Sequence, residues 1–152
     1  MPQIPITTRL DQDRPLVKID YQVIPQPAAG QNLQFTVPVG YRFKLISTYL
    51  SMVTDANVGD RLLFVQVAGP NGAFFRFQPP YIIVAGETRY LTLATNVPQI
   101  AHSAINMSSV IPFPTDLTLE EGTTITIGLL GIQVGDQFSA AVGQLLSQFV
   151  AE

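Results

Sequence analysis

The chain has 152 residues, 47% of them hydrophobic and 12% charged, and its net charge is −3. This length allows one domain with a hydrophobic core, and the charged share is about half of what an ordinary soluble domain carries. Two lysines leave no basic stripe for nucleic acid, and no apolar run approaches the roughly 20 residues of a membrane span.

Residues 1–30 are predicted to form an extended arm. Five of the twelve prolines and six of the charged residues lie there. Proline fixes φ and offers no hydrogen-bond donor, so the segment resists both helix and central strand. Between the prolines, apolar and polar residues alternate as in an edge strand, with a disordered tail as the alternative. We expect the apolar members to bind a partner subunit by strand addition: Leu16, Val17, Ile19, Tyr21 and Val23.

Residues 31–152 are predicted to form an all-β domain, an antiparallel β-sandwich of jelly-roll type. A strand over 33–37 precedes one over 42–52, in which Phe43, Leu45 and Ser47 are expected to face opposite to Lys44, Ile46 and Thr48. Many short strands, separated by turn residues, favour this class over any helical architecture.

The sharpest local signal is a hairpin. The runs 61–67 and 73–77 flank Gly69-Pro70-Asn71-Gly72. An Asn-Gly pair between two strand-like runs predicts a type I′ turn with positive φ at Asn71 and Gly72.

Further strands are predicted over five segments: 81–85, 88–94, 117–119, 123–130 and 138–149. The last run also fits the spacing of an apolar helical stripe, but strand is the preferred interpretation. Short turn sequences such as Ala85-Gly86-Glu87 and Val134-Gly135-Asp136 separate most of these strands.

The stretch from Tyr90 to Thr115 contains no Asp, Glu, Lys or Arg. Within it, residues 96–114 show no clear period and exceed the usual connection length. We expect a contact surface that includes Ile111 and Phe113, the alternative being a loop packed on its own domain. Together with the low overall charge, this predicts burial in an oligomer or assembly. The other possibility is a neutral surface coated with Gln, Thr and Ser.

Residues that could carry chemistry are few. Without cysteine there is no disulfide or thiolate site, and His102, the single histidine, has no motif that supplies a nucleophile. The segment 55–60 looks faintly like a calcium loop, but a turn with Asx hydrogen bonds is the better interpretation. Asp116 and the Glu120-Glu121 pair lie beside a turn, where solvated carboxylates are ordinary. We therefore expect no enzyme, cofactor or metal site.

Several stretches resemble small β-sandwich virion proteins of tailed bacteriophages. In chain order they are VPVGYRFKLIS (37–47), TDANVGDR (54–61), GPNG (69–72), IPFP (111–114), LEEGTTI (119–125) and GDQF (135–138). The likeness covers about residues 31–150 and consists of turn and strand patterns rather than chemical signatures.

The resemblance implies a head decoration, or cement, protein. Such a protein binds the outside of the capsid and bridges neighbouring major capsid protein subunits. It is made in the host cytoplasm, forms a homotrimer and reaches adjacent subunits with an arm, for which residues 1–30 are the candidate. No nucleic acid, membrane or small-molecule substrate is implied. The alternatives are a neck, tail or head-completion subunit and a carbohydrate- or receptor-binding jelly roll.

Overall fold

The computed structural model describes residues 17–79, 82–97 and 108–149, and these contain no helix, hence none that could span a membrane. Eleven strands form two sheets that pack face to face, which confirms the predicted β-sandwich. In chain order the strands are β1 (Val17–Ile24), β2 (Leu33–Thr36), β3 (Tyr41–Val53), β4 (Arg61–Gly69), β5 (Gly72–Phe77), β6 (Ile82–Ile83), β7 (Thr88–Ala94), β8 (Ser108–Pro112), β9 (Thr124–Leu130), β10 (Gln137–Phe138) and β11 (Ala141–Phe149).

The larger sheet has the order β1-β11-β3-β7-β8, with β10 beside one end of β3. The smaller sheet has the order β2-β9-β4-β5, with β6 beside β4. Strand pairs are antiparallel except β7 and β8, which run parallel. This parallel pair departs from the purely antiparallel prediction.

The core lies between the inner faces of the two sheets. Alternating apolar residues on each strand point into it, as a half-buried strand requires. Leu50, Leu91 and Leu93 of the larger sheet are fully buried, and so are Leu63 and Val65 of the smaller one. The predicted C-terminal strand is confirmed, since β11 lies between β1 and β3 in the larger sheet.

A bulge in β3 corrects one prediction about its side chains. Leu45 pairs with Leu145 and Ser47 with Gln144, so Ile46 is an extra residue on β3. An extra residue reverses the alternation beyond it. Phe43 and Leu45 face inward as predicted, but past the bulge Thr48 is buried and Ser47 is not.

The β4–β5 hairpin is confirmed, but its turn differs from the prediction. Gly69 pairs with Gly72, so the loop residues are Pro70 and Asn71. Gly72 has a φ of 115°, whereas Asn71 is not among the residues with positive φ. Proline at the first loop position fixes a negative φ there, which a type I′ turn centred on these two residues would not allow.

The predicted arm is not separate from the domain over its second half. Residues 17–24 form β1, which pairs in register with β11 of the same chain from Val17 opposite Gln148 to Ile24 opposite Ala141. Ile24 is buried in the core. The predicted boundary at residue 30 is therefore corrected for this strand, while residues 1–16, including Leu16, lie outside the described residues.

The uncharged stretch contains a strand that its sequence did not reveal. β8 pairs with β7, from Ser108 beside Tyr90 to Pro112 beside Ala94. Ile111 and Phe113 are only 1% and 3% exposed and belong to the chain's own core. Their predicted role as partner contacts is wrong for this reason.

Two predicted strands are shorter than expected. Of residues 81–85, only Ile82–Ile83 form a strand, and Tyr81 lies outside the described residues. Residues 117–119 contribute only an isolated bridge between Leu119 and Phe43.

Candidate protein interaction surface

The outer face of the larger sheet is built by aligned residues on five neighbouring strands. Residues paired across strands point to the same side of a sheet. One such row runs through Val23, Val142, Tyr49, Thr92 and Val110. Tyr49 lies at its centre, on the middle strand β3.

Apolar side chains dominate this outer face. Seven of them are between 40% and 66% exposed: Ile19, Tyr21, Val23, Tyr49, Val53, Tyr90 and Val142. They come from β1, β3, β7 and β11, so they form a surface rather than scattered positions. The name "apolar outer face" refers below to these seven residues.

Charge is nearly absent from the same side. Among the described outward positions of the larger sheet, the charged residues are Lys44 and Arg42, at one end of β3, and Arg42 is paired with Glu120. The remaining outward positions carry neutral side chains, such as Gln144, Ser51 and Ala94. Away from that end, this surface offers no charge to attract a charged ligand.

The outer face of the smaller sheet is polar over its central rows, while one end row, Ile82, Leu62 and Leu130, is apolar, and Ile82, Leu130 and the β5 residue Phe74 are 50%, 39% and 56% exposed. One row across its strands runs through Gln34, Thr126, Gln66 and Arg76. In the next row the hydroxyl oxygens of Thr36 and Thr124 lie 2.9 Å apart and share a hydrogen bond. This is the polar-out pattern expected of an exposed sheet.

Phe64, near the centre of that face, is covered by its own neighbours. The Arg76 guanidinium lies 4.7 Å from the centre of the Phe64 ring, a cation–π contact. Asn32 accepts a hydrogen bond from the Leu129 amide at 3.1 Å. A Cβ at Gly128 would lie 2.6 Å from Asn32 and 2.7 Å from Phe64, so glycine leaves room for both side chains.

β1 lies at the edge of the larger sheet, and a side chain protects part of that edge. The Asp20 carboxylate accepts a hydrogen bond from the Tyr21 backbone amide at 2.9 Å and another from the Gln22 side chain at 3.4 Å. A charged residue that occupies a backbone donor hinders pairing with a further strand. Ile19, Tyr21 and Val23 are thus presented as a face rather than as an open edge.

A buried arginine at the start of β4 ties two loops together. Arg61 is 0% exposed. It donates two hydrogen bonds of 3.0 Å to Asp136 and one of 2.7 Å to Asp55. It also donates to the backbone oxygens of Asn57, at 3.0 Å, and Gly59, at 2.7 Å.

The electrostatics of this group favour the charged forms. Burial alone raises the pKa of the Asp136 carboxyl, but hydrogen bonds from Arg61 and from the Gln133 and Asp55 amides outweigh it and hold that pKa below its usual value. The hydrogen bond to Asp136 likewise raises the Arg61 pKa against the effect of burial. These charges have a structural role, because they are paired with each other.

The predicted Asx turn is confirmed in residues 55–60. Asp55 accepts a hydrogen bond from the Asn57 backbone amide at 3.0 Å, and its other oxygen accepts one from Gly135 at 3.0 Å. Within residues 17–79, 82–97 and 108–149 there is no group of acidic or histidine side chains that could hold a metal ion. His102 lies outside the described residues.

The two glutamates of the 120–121 turn are engaged in local contacts. Glu120 accepts a hydrogen bond from Arg42 at 2.8 Å, and Glu121 accepts one from the Gly40 amide at 2.8 Å. These contacts fasten this turn to the β2–β3 connection and to the start of β3. The structure therefore gives these carboxylates a role in the fold.

Sequence reasoning found part of the apolar outer face and missed the rest. Ile19, Tyr21 and Val23 were selected for their alternation, and the structure leaves them exposed. Tyr49 and Val142 were not selected, since the β3 bulge hides which residues share a side. Their positions could have been suspected from the 42–52 strand, in which apolar residues occur at both odd and even positions rather than on one side only.

Comparisons with known proteins give little help with function. No family model and no curated protein matches the chain. One solved structure, "Structure of PfGH50B", is similar over 89% of this chain and 23% of that one, with 10% sequence identity and a TM-score of 0.37. The chain thus spans about a quarter of that protein, and a likeness this weak carries no argument.

Proposed function

We propose that this chain is a non-enzymatic structural subunit of a tailed-phage head that binds itself and neighbouring major capsid protein subunits, and so stabilises the shell. One observation carries the proposal: the larger sheet presents an apolar, nearly charge-free outer face. The smaller sheet of the same domain is polar over the centre of its outer face and exposes fewer apolar residues, namely Phe74, Ile82 and Leu130. If both outer faces met only solvent, nothing would require the larger sheet to be more apolar than the smaller one.

The extent of the apolar outer face supports a protein partner. Five strands spaced about 4.8 Å apart, each contributing about seven residues of 3.3 Å, span roughly 24 by 23 Å. Exposed apolar patches on monomers rarely exceed a few hundred Å² unless they are functional. Tyrosine is also enriched at protein interfaces, because its ring is apolar and its hydroxyl tolerates water. Tyr21, Tyr49 and Tyr90 all lie on this face.

The capsid as partner rests on the sequence resemblance and on residues 1–16. These contain Pro2, Pro5 and Pro15, which limit the free states of the chain and reduce the entropy lost when it docks. A tether joined to a folded domain keeps a second contact at high effective concentration when the first is released. Binding by an arm of this kind would complement contacts made by the domain.

The experiment is retention on phage heads prepared without this protein. Full-length chain is titrated onto the heads, which are washed, heated and pelleted, and bound copies are counted against major capsid protein. We expect saturation in proportion to capsid subunits and a higher disruption temperature. A few copies per head would instead support the neck, tail or completion role. Failure to bind heads together with binding on a glycan array would support a carbohydrate-binding module.

A variant isolates the contribution of the arm. Replacing residues 1–16 with a Gly/Ser segment of equal length keeps β1 and the chain length while removing the prolines and apolar residues. We expect retention on washed heads to fall at least tenfold, the effect of losing about 1.4 kcal/mol of binding free energy. Unchanged retention would show that residues 1–16 do not hold the capsid.

A further inference from the structure

We infer that the apolar outer face is occupied by a second copy of this chain, packed face to face about a two-fold axis. The inference rests on the proposed function only in treating this face as a protein-binding surface. It adds the identity of the occupant and the geometry of the contact, and it infers a two-fold pair in place of the homotrimer that the sequence resemblance implies.

The shape of the face suits another sheet. Sheets stack about 10 Å apart with their strands within about 30° of each other, because both carry the same right-handed twist. A second copy offers a face of the same twist and size. The roughly 24 by 23 Å outline corresponds in order of magnitude to the about 800 Å² that each partner buries in a standard interface, once side-chain relief is counted.

Charge selects the same occupant. The centre of this surface, around Tyr49 and Val142, carries no charge, and its charged residues, Lys44 and the Glu120-paired Arg42, lie at one end of β3. A complementary surface must therefore be neutral and apolar at its centre. The chain's own apolar outer face meets this requirement, whereas the centre of the smaller sheet's outer face carries Gln34, Gln66 and Arg76.

The alternative way for two copies to meet is disfavoured at the edge strand. Pairing of β1 with another β1 would need the Tyr21 amide, which already donates to Asp20 at 2.9 Å. Self-association through the face leaves this hydrogen bond intact.

Symmetry places one residue at the centre of the contact. In an isologous pair each residue near the two-fold axis meets its own copy. β3 is the middle strand of five, and Tyr49 is the middle residue of the row from Val23 to Val110. Tyr49 of one copy therefore packs against Tyr49 of the other.

Sedimentation velocity of the full chain at micromolar concentration tests the inference. We expect a species of twice the mass of one chain. Tyr49→Glu and Val142→Glu should each weaken the association about thirtyfold, as loss of a central interface residue does. Gln34→Glu and Gln66→Glu add the same charge to the polar face and should leave it unchanged. Melting temperatures establish that each variant is folded.

A cross-linking experiment provides a second test that does not depend on those substitutions. The chain contains no cysteine, so a single introduced thiol reacts without background. Stacked sheets about 10 Å apart exceed the reach of a disulfide, so a short bismaleimide is used. Tyr49→Cys should yield covalent dimers, and Gln66→Cys should yield none.

Monomeric full-length chain over the micromolar range would overturn the inference. So would a species of three chains, or dimers that cross-link through Gln66→Cys rather than Tyr49→Cys. Binding to phage heads is a separate measurement. A monomer that still saturates heads would leave the proposed function standing, while a dimer that ignores heads would remove the capsid role alone.

Discussion

The two outer faces of this sandwich differ although the two inner faces are alike. Both sheets bury alternating apolar residues, but the smaller sheet turns Gln34, Gln66 and Arg76 outward, whereas the larger one turns Tyr49 and Val142 outward. Folding alone explains the inner faces. We propose that the difference outside arises because the larger sheet is the one that meets protein.

Local packing sharpens the comparison. On the smaller sheet, Arg76 covers Phe64 and the Asn32 side chain lies against Gly128, so the centre of the face is covered by its own residues. On the larger sheet Ile19, Tyr21 and Val23 remain at least half exposed. Surface substitutions away from contacts usually change stability by less than about 0.5 kcal/mol. Substitutions on the apolar outer face should therefore alter assembly and leave folding nearly untouched.

The largest expected effect is a loss of folding stability, which would remove both outer faces because the whole sandwich unfolds. Arg61→Met leaves Asp136 buried without its cation, and breaking a buried pair in this way costs about 3–5 kcal/mol. Denaturant unfolding measures the loss. Arg42→Met is the matched control, because its pair with Glu120 is largely solvated and worth about 0–1 kcal/mol. Equal losses would show that the Arg61 group does not hold the sandwich together.

The next effect is a loss of stability in acid. The folded state holds the Asp136 pKa below its ordinary value, so the carboxylate stabilises the fold above the ordinary Asp pKa, about 3.9. This contribution disappears as pH falls through the lower, folded-state pKa. We expect the unfolding free energy to decline below about pH 4. Asp136→Asn should be less stable at neutral pH and show a shallower decline, and an identical slope would contradict this.

A smaller loss of stability is expected from a substitution in the β4–β5 hairpin, which belongs to the smaller sheet. Gly72 has a φ of 115° with open space around it, so Gly72→Ala should cost about 1 kcal/mol through backbone strain alone. Gly69→Ala, in the same hairpin, meets only ordinary contact with Phe74 at 3.6 Å and should cost less. Neither change should affect self-association. If Gly72→Ala weakened the dimer, the contact would lie on the smaller sheet, which would contradict the inference.

The sequence was sufficient for the parts of the fold that depend on local patterns. The hairpin around Pro70 and Asn71, the Asx turn at Asp55 and the strand over 88–94 all follow from turn chemistry and alternation. The parallel strand β8 could not be predicted, because its partner β7 is fixed by tertiary packing. Its short run Ser108–Pro112 has little pattern of its own.

The candidate surface was harder to predict for a related reason. Alternation shows that a strand has two sides, but only the register of five strands shows which side residues share. The bulge at Ile46 shifts that register within β3, so Tyr49 and Leu45 lie on opposite sides despite an even spacing in sequence. For Ile111 and Phe113 the error was the reverse: they were predicted at a surface but lie in the core, because an uncharged segment can equally well be buried.

Tyrosine nitration tests the central claim most directly, namely that the apolar outer face is covered by protein in the working assembly. Tyr49 and Tyr90 lie on that face, while Tyr41 packs beside Phe43 on the other side of the sheet and is similar to Tyr90 in exposure, 39% against 40%. Rates are compared between the assembled protein and a folded, dissociated Val142→Glu variant. We predict that assembly strongly slows the nitration of Tyr49 and Tyr90 relative to Tyr41. Equal rates for Tyr49 and Tyr90 in both states would contradict the account.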